Sequence, residues 1–265
     1  MSLLGAVLLL VRVLPPEPAI FITRLLVITY LLCRPDYRKE IDKNFYILLG
    51  YHNRFFWLKN AWVVGRNLAL MTKIGTSIGD KLIDNMRVYR ENITDEIEQL
   101  GQRHYVMVSF HFGVWEFLPG IYRNYGNDVA VMTGVMKDNL LHRIIKRIRC
   151  SSGVNVIGDV RMLLKRLQQA GITGFMLDNT TRGNQITVRI QKLNIRFPAV
   201  AFSMSRRIGI GVIPVFCYLD KGCLTVRVFS PQDPNGCFRI LLKMISERPA
   251  EWIFWGKSGA INENC

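Results

Sequence analysis

The stretch Val106–Phe117, VMVSFHFGVWEF, sets a histidine and a carboxylate, His111 and Glu116, five positions apart just after an apolar run. Residues 105–110 (YVMVSF) are apolar but for one serine and read as a buried strand. Gly113 eases the bend that follows, and F-G-V-W-E-F leads into a helix. Open α/β sheets place their chemistry at such a strand's C-terminal edge. An imidazole held there in one tautomer presents its other nitrogen as a general base. Glu116, about one helical turn on, is the carboxylate expected to hold it. H-x-x-x-x-E also arises by chance. A structural histidine and a helix-N-terminal glutamate favoured by the dipole therefore stay open as alternatives.

The elements that must position these groups follow from periodicity. Strand candidates are 105–110, 128–133, 154–157, 173–178, 210–219 and 223–229, with helices expected over 115–124, 137–149, 159–170, 197–207 and near 236–248. Strands spaced by helix-length segments predict an α/β fold with a mostly parallel central sheet flanked by helices. The last two strands, joined by Asp220-Lys221-Gly222, read as a hairpin. Ahead of the sheet, residues 36–72 carry aromatic-rich helical periodicity, and 76–100 reads as a helix of mixed charge. No repeat or Gly/Pro/Ser linker divides the chain. The expected division is an apolar N-terminal membrane-association segment over 1–35 and a single domain over 36–265.

Composition narrows the partners. The 265-residue chain is 49% hydrophobic yet carries a formal charge of +15; its mean hydropathy is +0.15 and its pI about 9.8. Apolar and basic together suit an anionic surface, either nucleic acid or a membrane with acidic headgroups. No helix-turn-helix, RRM-type or zinc-finger signature is present, so nucleic acid is not expected. Residues 3–14 and 19–33 are apolar, divided by Pro15, Pro16, Glu17 and Pro18 and interrupted by Arg12 and Arg24. No charge-free run reaches the roughly 18 residues of a spanning helix, and Pro-Pro should break the helix near residue 14. The start lacks the basic n-region and small-residue cleavage site of a signal peptide. A helical anchor dipping into or lying on the membrane is expected, with Arg34, Arg38 and Lys39 on the cytoplasmic side. An apolar first helix packed on the core is the alternative. The six cysteines show no C-x-x-C, which points to reduced thiols and no metal.

Six segments in order resemble the bacterial lipid A late (lauroyl/myristoyl) acyltransferases of the lysophospholipid acyltransferase superfamily. They are RKEIDKNFYILLG (38–50), HFGVWE (111–116), TGVMKDNLLHRIIKRIRCSSGVNVI (133–157), GFMLDNTT (174–181), PAVAFSMSRRIGIGVIPVF (198–216) and RPAEWIFWGKSG (248–259). The chain departs from the family's usual Trp-x-His-Arg-Arg ending, since Trp255 is followed by Gly256, Lys257 and Ser258.

The resemblance implies O-acyl transfer from an acyl thioester, on acyl carrier protein or coenzyme A, to a hydroxyl of a lipid A precursor or related anionic glycolipid. It implies no metal or redox cofactor, and a place at the cytoplasmic face of the bacterial inner membrane. His111 is then the base and Glu116 its orienter; no enzyme nucleophile is needed, consistent with the lack of a G-x-S-x-G elbow. Arg149 matches the family's arginine and is expected to grip a phosphate in a bidentate fork. Arg143, Lys146 and Arg147 beside it fit a solvated or membrane-surface face equally well. Asp178, Asn179 and Arg182 are expected near the substrate, Asp178 positioning either His111 or an acceptor sugar, with a turn cap as its alternative. A basic stripe over 189–207 suits an anionic headgroup or an acidic carrier protein. Other acceptors (phospholipid, mannosyl or amino lipid) and a non-catalytic, membrane-tethered basic binding protein are the competing readings.

Overall fold

The computed structural model describes residues 3–91, 104–132, 143, 146, 147, 149, 150, 153–178, 183–190, 193–257 and 262–263. Five helices come first: α1 (Leu3–Val13), α2 (Pro16–Leu32), α3 (Pro35–Leu49), α4 (Phe56–Met71) and α5 (Ser77–Asp84). The Pro15-Pro16 break falls where the sequence places it, with Pro16 opening α2 at a position that needs no N–H donor. Gly50, at φ 75°, closes α3 in the left-handed region.

The main sheet has seven strands in the order β1-β9-β8-β2-β5-β3-β4. These are β1 (Arg87–Glu91), β2 (His104–Ser109), β3 (Val129–Met132), β4 (Asn155–Ile157), β5 (Gly171–Met176), β8 (Ile213–Asp220) and β9 (Cys223–Phe229). All neighbours run parallel except β8 and β9, which form the expected hairpin. Its two-residue turn puts Lys221 at φ 49° and Gly222 at φ 81°, the primed-turn geometry that matches strand twist. Every residue of β2 is buried, as a central parallel strand requires. The α/β body also carries helices α6 (Phe117–Asn124), α7 (Val160–Arg166), α8 (Ala199–Arg207) and α9 (Pro234–Glu247).

Two segments differ from the sequence expectation. The helix expected over 76–100 ends at Asp84, and Arg87–Glu91 is the edge strand β1; residues 92–103 lie outside the described ones. Four of the five β1 side chains are exposed, so the strand leaves no alternating apolar signal. The second is a three-stranded antiparallel sheet, β10-β7-β6, from β6 (Gln185–Ile190), β7 (Leu193–Pro198) and β10 (Asn262–Glu263). Val188, Ile195 and Phe197 point inward while Arg189 and Arg196 point out, and those charges obscured the period of two.

The N-terminal helices pack on the body. The Cα of Gly65 on α4 so closely faces α2 that a Cβ there would lie 2.6 Å from the Arg24 Cα. The last turns of α1 and α4 are joined by exchanged cations. Fully buried Lys73 donates from Nζ to the carbonyls of Val11 (2.6 Å), Arg12 (2.9 Å) and Leu14 (2.5 Å). Arg12 donates to the carbonyls of Thr72 and, at 2.9 Å, Ile74. Carbonyls orphaned at helix ends thus meet positive charge. Burial, with a smaller contribution from Arg12, lowers the Lys73 pKa. No single described helix is long and apolar enough to cross a membrane; α2 and α3 pass that test only as a pair bent by 95°.

Candidate active site

β2 and β5 run parallel with Ser109 opposite Met176. Two residues beyond each lie His111 and Asp178, so the register brings side by side two groups 67 positions apart in the chain. The Leu177 N–H donates to the Ser109 carbonyl (2.9 Å) and extends the ladder to that point.

His111 Nδ1 lies 2.8 Å from Asp178 Oδ1, and the His111 backbone N–H donates to both carboxylate oxygens at 3.1 and 2.9 Å. The Trp252 indole N–H adds a bond to Oδ2 at 2.9 Å. An ionised carboxylate only accepts, so Nδ1 must carry the hydrogen and Nε2 is left with its lone pair. Asp178 is 1% exposed and the imidazole 17%, so solvent reaches the ring but hardly its partner. Trp115 stands edge-on to the imidazole at 5.0 Å, and Phe254 lies against it at 4.7 Å. Such a histidine can take a proton at Nε2 from a hydroxyl while its partner stabilises the resulting imidazolium.

Glu116, expected to hold the imidazole, has other partners. Its Oε2 accepts from Arg149 Nε at 2.8 Å and its Oε1 accepts from Arg149 Nη2, while the Trp115 indole N–H donates to Oε1 at 3.2 Å. Glu116 sits at the N-cap of α6, where the chain has turned away from the strand end. The carboxylate in contact with the imidazole is therefore Asp178, while Glu116 bonds the Trp115 indole that stands edge-on to the ring. Arg149 gives the Nε–Nη2 edge of its guanidinium to Glu116 rather than to a phosphate. Burial opposes the Arg149 charge, but the carboxylate outweighs it and raises the pKa. Arg143, Lys146 and Arg147 are exposed helical residues. Asn179 and Arg182 lie outside the described residues.

The loop carrying His111 is laced to the C-terminal segment. Phe112 bridges Trp252; the Ile253 N–H donates to the His111 carbonyl at 3.0 Å, and the Gly113 N–H to the Glu251 carbonyl at 2.9 Å. Gly113 has φ 64°, and a Cβ on it would lie 2.2 Å from the Cys217 carbonyl oxygen, so only glycine fits. Residues 249–256 are in turn pinned by the N-terminal helices. Asn60 donates from Nδ2 to the carbonyls of Ala250 and Trp252, both at 2.9 Å, and Asn44 from Nδ2 to that of Trp255 at 2.6 Å. Buried Glu251 accepts from Arg66 at 2.9 Å and Asn67 at 2.7 Å.

Sequence reasoning missed Trp252 as a ligand of Asp178, and missed these asparagines altogether. Polar residues inside an aromatic-rich helix were the available signal. Lys257 also reaches the site, donating to the Asp178 carbonyl at 3.3 Å; burial lowers its pKa, and Asp178 partly offsets the effect.

The model of the bacterial lipid A biosynthesis acyltransferases matches residues 2–253, so the chain belongs to that family and is an acyltransferase by membership. Among solved structures it resembles the 1-acyl-sn-glycerophosphate (LPA) acyltransferase PlsC from Thermotoga maritima, at 14% identity and TM-score 0.35, over 88% of this chain and 96% of that one. No curated protein sequence matches the chain.

Proposed function

We propose that the protein moves a fatty acyl chain from an acyl thioester to a hydroxyl of a lipid A precursor or related glycolipid, with His111 as general base. The observation that carries this reading is the buried Asp178 carboxylate fixing Nδ1–H and leaving Nε2 open at a strand end. The acceptor O–H gives its proton to Nε2 as its oxygen bonds to the thioester carbon. Collapse of the tetrahedral intermediate breaks the C–S bond, and the imidazolium returns the proton to the departing thiolate. We assign no metal or redox cofactor to the reaction.

The same reading places the protein at the cytoplasmic face of the inner membrane, with residues 1–35 as its membrane-association segment. Leu10, Val13, Phe21, Leu25, Tyr30 and Leu32 on the first two helices are exposed apolar side chains. Nearby, the Arg24 guanidinium lies 4.0 Å above the Trp62 ring, and that of Arg38 lies 5.3 Å from Trp57. Apolar groups flanked by arginine–aromatic pairs suit the boundary between headgroups and acyl chains.

The test incubates the detergent-purified protein with acyl thioesters and a panel of acceptor lipids, and reads products by mass spectrometry. A gain of one acyl chain on a glycolipid is expected, reduced about 10²–10⁴-fold in His111→Ala. Normal turnover by folded His111→Ala would remove the base. Transfer only to a phospholipid, mannosyl or amino acceptor would replace the lipid A assignment.

A further inference from the structure

Between Asp178 and Asp220 the chain has no acidic residue, while it has six basic ones: Arg182, Arg189, Lys192, Arg196, Arg206 and Arg207. The antiparallel pairing of β6 and β7 sets Thr187 opposite Arg196 and Arg189 opposite Asn194, so both arginines stand on one outward face. Both are exposed, as are Arg206 and Arg207 in the last turn of α8, which continues directly from β7. None of these four arginines pairs with a carboxylate among the described residues.

The other side of the hairpin is apolar and leads to the site. Phe197 on β7 meets the Phe110 ring edge-on at 5.9 Å, and Phe110 immediately precedes His111. The outward face is thus one layer of side chains from the strand end that carries the chemistry. It is also free of large exposed apolar residues. Those on the described surface fall within Leu9–Trp62, at Val88 and Tyr89, at Tyr125 and at Met162, with none in 183–257.

We propose that the outward face of the β6–β7 hairpin, extended by the end of α8, is the docking surface for an acidic carrier protein that presents the acyl thioester. The inference rests on the acyl-transfer reading above. Charge complementarity selects an acidic occupant and steers its approach. The absence of apolar anchors separates this face from the membrane-facing helices, because lasting insertion needs buried apolar area as well as charge. A two-stranded frame also holds its arginines in a fixed pattern, which suits a folded acidic surface.

The experiment compares one acyl chain on acyl carrier protein with the same chain on uncharged N-acetylcysteamine, using the full-length protein. Variants are Arg189→Glu/Arg196→Glu and Arg206→Glu/Arg207→Glu, with Arg189→Lys/Arg196→Lys as the charge-preserving control and thermal melts confirming the fold. kcat/KM with the carrier-borne donor is expected to fall at least tenfold in Arg189→Glu/Arg196→Glu, and to fall as salt rises in the native protein. Turnover of the N-acetylcysteamine thioester should hold within twofold, and the lysine variant should keep carrier activity. Equal losses on both donors, or carrier kinetics unchanged by reversal, would overturn the proposal. So would reversal that reduces binding to vesicles containing anionic lipid while leaving carrier kinetics intact. Fluorescence anisotropy of labelled carrier protein tests docking without turnover. A native protein that binds the carrier in a reversal-sensitive way but transfers no acyl chain would refute the acyl-transfer reading and leave the docking face standing.

Discussion

Replacing Asp178 by asparagine tests which carboxylate governs His111. In the native site the carboxylate receives the His111 backbone N–H on both oxygens, the imidazole Nδ1–H on Oδ1 and the Trp252 indole N–H on Oδ2. An amide has one accepting oxygen, and its NH2 group must point where a donor already points. If the amide oxygen keeps the indole, its NH2 faces Nδ1, and the imidazole answers by moving its proton to Nε2. The base is then lost although every ring stays in place. The expected fall in kcat is the contribution of a placed base, about 10²–10⁴-fold. Stability should fall by about 1.5–3 kcal/mol for one hydrogen bond to a charged group. Initial rates give the first number and urea melts the second, and histidine ¹⁵N shifts report the tautomer directly. Glu116→Gln serves as the contrast: it weakens the Arg149 fork and the Trp115 contact, yet should leave the hydrogen on Nδ1. The reasoning fails if Asp178→Asn retains kcat within tenfold, or if Glu116→Gln rather than Asp178→Asn moves the proton to Nε2.

Four further outcomes follow from individual contacts and from burial. Trp252→Phe keeps most of the ring but deletes the 2.9 Å indole bond to Asp178; a loss of about 1.5–3 kcal/mol in stability and a lower kcat are expected in melts and initial rates. Lys73→Met leaves three carbonyls at the end of α1 without their buried donor. It should cost at least about 1–3 kcal/mol and expose α1 to limited proteolysis, whereas unchanged cleavage would show that the clasp is dispensable. Burial drives the Cys217 and Cys237 thiols well above the ordinary range. They hold their protons in the fold and release them when unfolded above about pH 8.5, so stability should fall as pH rises past that point, by up to about 1.4 kcal/mol per unit for each thiol. Urea melts between pH 7.5 and 10 should show that slope, and Cys217→Ala/Cys237→Ala should flatten it. Maleimide should label exposed Cys33 and Cys150 before either buried thiol.

Much was legible in the residues. Buried strands announced themselves where apolar runs were continuous, as in YVMVSF and PVFCYL, because a parallel strand covered on both faces has no polar side to show. The helix break at Pro15-Pro16 and the Lys221-Gly222 hairpin were legible because proline and glycine constrain the backbone locally. Edge and surface strands were not. Arg87–Glu91 and the β6–β7 pair carry charges outward, and their pairing comes from partners distant in the chain.

The amino-acid sequence determined that a histidine stands at the end of a buried strand, and that a second strand ends in an aspartate. It did not determine which carboxylate meets that histidine. Short-range reasoning favoured Glu116, five residues away, but the turn after Gly113 carries it to Arg149. The parallel register that aligns Ser109 with Met176 brings Asp178 to the imidazole instead. Likewise Trp252 reaches Asp178 because asparagines on α3 and α4 fix residues 249–256. Local propensity fixes elements through neighbours along the chain, whereas strand register and side-chain clasps are set by packing between segments far apart in it.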